Sequence, residues 1–324
     1  RAFSSCPNLT KITIGANVES VGAYAFSECI ALTDVVFKDS TIDKKTIGNY
    51  AFYNCRALSN INFGNAVTSI GDYAFVMTES LTSIEFPDSL VRIGNYAFSP
   101  YSNGYGGSYI EYTTSNLENI KFGSGIKTIG KQAFYKNEKL KSIDLTGSNL
   151  TLIDTGAFQN CISLIEINLS GNNLVIESSA FYDDKYLKNV TFGAGIKSIG
   201  SNAFYNCLSI SELNFFDGLD RIYSDAFRNC KSISLVTLPN TLSSIGNSAF
   251  YNCERITSVH IPDKVTEIQG GCFTNCHLLK KVTIGSGCTS ISPTAFTGAN
   301  SIEEIIVEED NKKYTSVDGV LYNN

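Results

Sequence analysis

The chain has 324 residues, 43% hydrophobic and 17% charged, which is ample apolar material for a buried core. Its net charge of -6 argues against a nucleic-acid binder, which needs a basic face to neutralise phosphates. No apolar run is long enough for a membrane-crossing helix.

At the N-terminus, Arg1, Ala2 and Phe3 stand midway through a unit that then recurs. The chain is therefore expected to be a piece of a longer protein. Ala-Phe returns at Phe26, Phe52, Phe75, Phe98, Phe134, Phe158, Phe181, Phe204, Phe227, Phe250 and Phe296, and Cys272 replaces the alanine before Phe273. Successive phenylalanines are 23 residues apart in nine of twelve steps, and the exceptions of 26, 36 and 24 are insertions in an unbroken phase. The period predicts one continuous solenoid over residues 1–309, with 310–324 as a C-terminal cap or junction.

Along the first units, Tyr24, Tyr50, Tyr73 and Tyr96 precede the phenylalanine by two residues and should stack as a ladder on the solenoid edge. The 36-residue step follows. Its insertion, Ser99–Asn116, carries Tyr105, Tyr109 and Tyr112 among glycines, with Tyr101 at its entrance. Insertions in repeats map to loops on one face, often the binding face, and tyrosine with Gly and Ser suits adaptable recognition. The other reading is a tolerated extension, since long surface loops cost little.

The unit Leu187–Cys207 shows the logic of each coil. Val190 and Phe192 share one face of a short strand at period two. Gly193 and Gly195 permit a sharp turn, and Ile196 and Ile199 form a second apolar segment closed by Gly200. Ala203, Phe204 and Cys207 suit one helical turn with inward side chains. Such a unit buries too little to fold alone, so the units must stack. The recurring Gly22, Gly48, Gly71, Gly94, Gly130, Gly200 and Gly246 read as turn punctuation.

Ten cysteines invite a disulfide reading, which their positions oppose. Eight follow the phenylalanine by three residues, where Thr78, Asn137, Asp184 or Ala299 stand in other units. On adjacent coils their Cβ atoms would run parallel at about one strand spacing, ~4.8 Å, slightly too far for a good bridge. Free buried thiols are expected. No metal or other cofactor is expected: no C-x-x-C pair occurs, and the only histidines are His260, in an outward strand slot, and His277, in a loop. No catalytic constellation or phosphate-binding motif stands out, so the chain is not expected to be an enzyme. At the C-terminal end, Ser316–Tyr322 has the Asp-Gly of a two-residue hairpin.

The series L-x-x-I-x-[IFL], V-x-x-I-G and A-F-x-x-C, over nearly the whole chain, resembles the BspA-like leucine-rich repeat family. Two units, Leu140–Cys161 and Leu164–Phe181, drift toward the common leucine-rich repeat. The resemblance implies a right-handed, horseshoe-like solenoid with a parallel β-sheet face and short strands or helical turns opposite. It also implies surface proteins of bacteria and mucosal protozoa, some of which adhere to host proteins and other cells. The expected function is a cell-surface or secreted adhesion or recognition protein with a protein or glycoprotein ligand. An intracellular scaffold, or a targeting module of a larger enzyme, remains the alternative. The binding residues expected are Tyr101, Tyr105, Tyr109 and Tyr112, with Glu85 and Lys121 on the sheet face.

Overall fold

The computed structural model describes residues 1–41, 44–102, 111–145, 147–171 and 173–324. They fall into two compact units, Arg1–Ile167 and Asn168–Asn324, each a stack of the same coil. A coil contributes one strand to each of two parallel rows. In the first unit the front row includes Ser83–Glu85, Asn119–Lys121 and Ser142–Asp144, in register as Ser83, Asn119 and Ser142. The second row pairs Val21, Ile47, Ile70, Ile93, Ile129 and Ile153 in turn. The second unit repeats this with Ser258, Lys281 and Glu304 in front and Ile176, Ile199, Ile222 and Ile245 behind.

The phenylalanines form the axis of each unit. Rings Phe3, Phe26, Phe52, Phe75, Phe98, Phe134 and Phe158 stack at 5.0–5.5 Å in the first unit. Phe181 through Phe296 do the same in the second. The turn around each ring is built of i→i+3 bonds, as from Ala203 N to Gly200 O and Cys207 N to Phe204 O. It does not propagate into a helix, because residues such as Asn202 (φ 57°) and Asn206 (φ 58°) reverse the backbone on either side of the ring.

The recurring glycines have a different cause from the one expected. A β-carbon on Gly48, Gly71, Gly94, Gly130, Gly200 or Gly246 would stand 2.4–2.8 Å from backbone atoms of the preceding coil. Close approach of coil to coil demands these six; at Gly22 a β-carbon would meet nothing within 4 Å.

The cysteine slot also has a rule of its own. All ten cysteines are free thiols, and all but Cys6 are buried. The Sγ of Cys29, Cys55, Cys207, Cys230 and Cys253 donates to the phenylalanine carbonyl of the coil before, at 3.0–3.2 Å. Asn137 fills the slot with the same bond, Nδ2 to Phe98 O at 3.1 Å. Burial pushes the Cys55 and Cys276 thiols up to about 12, so they are protonated donors and poor nucleophiles or metal ligands.

The chain ends in an antiparallel hairpin, Tyr314–Val317 with Val320–Asn323, turning through Asp318 (φ 49°) and Gly319 (φ 78°). Buried Asn311 anchors it. Its Nδ2 donates to Gly285 O and Cys288 O at 2.9 and 3.0 Å, and its Oδ1 accepts from Lys313 N and Tyr314 N at 2.8 Å each. No described helix is long and apolar enough to cross a membrane.

Candidate functional site

The insertion leaves the first unit without breaking its core. Phe98 and Phe134 stack at 5.3 Å across it, and Ile93 pairs with Ile129. The departing and returning segments pair antiparallel, Tyr101 opposite Tyr112 and Ser102 opposite Glu111. Tyr105 and Tyr109 lie outside the described residues. The root is pinned to the coils. Thr113 N and Oγ1 both donate to Pro100 O at 3.1 Å, Ser115 Oγ to Asn137 Oδ1 at 2.6 Å, and Asn116 Nδ2 to Glu79 O at 2.8 Å. Asn137 thus replaces a cysteine where an acceptor for Ser115 is required. Beside the root lies a groove of about 400 Å³ lined by Pro100, Thr113, Thr114, Lys136 and Lys139. Sequence reading missed this lining; the asparagine in the cysteine slot was the available signal.

Glu85 and Lys121 meet on the sheet face, Lys121 Nζ donating to Glu85 Oε1 at 2.5 Å. That bond raises the lysine pKa. Both line a second groove, of about 660 Å³, with Asn62, Pro87, Asp88 and Ser124. The two grooves share no lining residue: Glu85 and Lys121 line the one on the sheet face and not the one beside the insertion root. Asp88 accepts from Ser124 N and Oγ at 2.8 and 3.1 Å, and Asp263 does the same with Ser286 in the second unit. These donors hold both carboxyls below the usual aspartate range. An unfolded chain takes up protons near pH 3.9, where the folded carboxylates still resist them. Their stabilisation is therefore complete above that pH and lost as pH falls through the folded values. Urea midpoints are expected to hold between about pH 7 and 5 and to fall below about pH 4. The double variant Asp88→Asn, Asp263→Asn should lose less on acidification; an unchanged acid slope would show that these clasps contribute nothing.

In the second unit, His260 lines a groove of about 300 Å³ with Thr237 and Asn240, and its Nε2 lies 4.0 Å from Glu308. Among the described residues no group of three or more His, Cys, Asp or Glu side chains could hold a metal ion.

The tyrosine ladder forms as expected. Tyr24, Tyr50, Tyr73 and Tyr96 stack at 4.7–4.9 Å within 8° of parallel, all half-buried. Their φ angles are 56–58°, the left-handed region that a bulky side chain enters at about 1–3 kcal/mol each. Stacking returns about 0.5–1.5 kcal/mol per pair, and three pairs do not offset the strain of four residues.

The BspA type leucine rich repeat region matches in six copies, over residues 1–103, 107–234 and 197–317. The chain belongs to the BspA-type leucine-rich repeat family. No curated protein matches it. A leucine-rich repeat protein from Bacteroides ovatus is similar in structure, with TM-score 0.51 and 23% identity over 91% of this chain and 86% of that one. A leucine rich cell surface protein from Faecalibacterium prausnitzii has TM-score 0.44 and 21% identity, over 93% and 79% of the two chains. A leucine-rich repeat protein from Eubacterium ventriosum has TM-score 0.43 and 20% identity, over 92% and 74%. The first of these supports the fold, and the fold alone.

In this BspA-type chain the repeat supplies the scaffold, and what is peculiar to the molecule departs from the repeat. The departures are the insertion root and the tyrosine column.

Proposed function

We propose that this chain is a non-catalytic, surface-exposed or secreted recognition protein that binds protein or glycoprotein ligands on host or neighbouring cells. One observation carries the reading. A single coil step is lengthened to 36 residues by a tyrosine-bearing segment, pinned at its root beside a groove while the core columns run on beneath it. Insertions in repeats often lie on the binding face, and tyrosines supply large contact area at low entropic cost. Family membership supports the surface location, since the BspA type is known mainly from surface proteins. Ten free thiols favour a second reading, an intracellular scaffold in a reducing compartment. Buried thiols with raised pKa values resist oxidation in any compartment, so they weigh little against the first.

Deleting residues 101–113 restores the 23-residue step and keeps Pro100, Ser115 and Asn116. The variant is expected to melt as the parent does, because Phe98 and Phe134 remain adjacent rungs. Its capture of mucosal cells or matrix proteins should weaken by at least about tenfold. A deletion variant that folds and binds as tightly as the parent would make the insertion ornamental.

A further inference from the structure

The slot two residues before the phenylalanine is also left-handed in the second unit where it holds Asn202, Asp225 and Ser248, at φ 55–58°. These short polar residues suit that backbone. Four consecutive coils of the first unit instead place tyrosine there, and the energy balance of stacking against strain gives stability no reason to prefer it. The left-handed backbone belongs to the repeat and holds Gln132 in the same slot; the recurrence of tyrosine in four consecutive coils is what points to a function.

We propose that the column Tyr24–Tyr50–Tyr73–Tyr96 is a docking track for an extended, proline-rich segment of a partner protein. The inference rests on the reading of the chain as a recognition protein, but it uses a surface other than the insertion. Three observations select the partner. The faces between neighbouring rings are closed by stacking, and the outer face of Tyr24 is covered by the Arg1 guanidinium 4.6 Å away. A ligand therefore meets ring edges and phenol groups, which attract carbonyl oxygens and apolar rings, not flat aromatic or sugar faces. The flanking slot holds Asn49, Asp72 and Asn95, and Asp72 Oδ1 already accepts from Asn95 N at 2.8 Å, so no concentrated charge calls for a charged ligand. The pitch is the third observation. Two steps of the column cover about 9.6 Å, and one turn of polyproline II covers about 9.3 Å. Prolines three residues apart thus fall on alternate tyrosines. The carbonyls between them, which make no internal hydrogen bonds in that helix, face the remaining phenols.

The test titrates the whole chain with a fluorescent peptide carrying proline at every third position, and with a glycine-serine peptide of equal length. The variant Tyr50→Ser, Tyr73→Asn places in the column residues that the same backbone slot holds at Ser248 and Asn202, so it should fold; a thermal melt verifies this. Saturable binding of the proline peptide alone, weakened at least about tenfold in the variant and unchanged by deletion of 101–113, is the expected result. Three results would overturn the track: no saturable binding, equal affinity in the folded variant, or tyrosine-dependent binding of a β-linked oligosaccharide without the peptide. A chain that captures cells but ignores the peptide would sink the track alone and leave the recognition reading standing.

Discussion

Replacing Phe204 with alanine is expected to lower the free energy of unfolding by about 3–5 kcal/mol. The ring is fully buried, stacked 5.0 Å from Phe181 and 5.3 Å from Phe227, with the edge of Phe192 at 5.7 Å. Truncation removes its transfer energy and leaves a cavity. The coil cannot collapse to fill that cavity, because Phe204 N remains bonded to Ala226 O and the strands on either side stay in register. Loss at one rung weakens two coil interfaces at once, since a stacked array is stabilised by nearest neighbours. Thr191→Ala, on the exposed face of the strand Asn189–Phe192, should change stability by less than about 0.5 kcal/mol. Equal shifts for the two variants in urea melts would show that the inward face has been misassigned.

Asn311→Ala is expected to cost about 3–5 kcal/mol through a different mechanism, the orphaning of backbone groups. One buried amide serves four of them, the carbonyls of Gly285 and Cys288 and the amides of Lys313 and Tyr314. Alanine serves none, and each group left dry loses about 1–3 kcal/mol less whatever water regains. The damage should be local. The hairpin Tyr314–Val317 and Val320–Asn323 is tied to the last front strand by Ile305 N to Gly319 O and Val307 N to Ser316 Oγ. Once its anchor is gone, hydrogen exchange should accelerate across 304–323 before it does so near Phe204. Asn311→Asp, which turns a carboxylate oxygen toward the Gly285 and Cys288 carbonyls in a buried site, should cost at least as much as alanine. Uniform acceleration over the second unit would mean that Asn311 supports the whole stack and not its end.

Much of this molecule was legible along the chain. The 23-residue recurrence of Ala-Phe marks each ring as an inward rung, and period two in Val190 and Phe192 marks the front strand. The insertion announces itself as a broken step, and Asp318-Gly319 announces the hairpin. These signals work because in a stack every contact joins like to like one coil away, so the sequence repeats whatever the core repeats. Contacts that join unlike positions carry no such period, and only the tertiary structure decided them. Lys45 is buried opposite Val67, its ammonium donating to Gly15 O at 2.8 Å, a placement that no period along the chain announces. Gly48, Gly71, Gly94, Gly130, Gly200 and Gly246 read as turns, but backbone atoms of the coil before them exclude a β-carbon. Ser115 meets Asn137, Asn116 meets Glu79, and Glu85 faces a different groove from Pro100. A single strand's pattern tells which side is buried. Which polar atom finds a partner depends on where other coils lie within about 3 Å, the reach of a hydrogen bond.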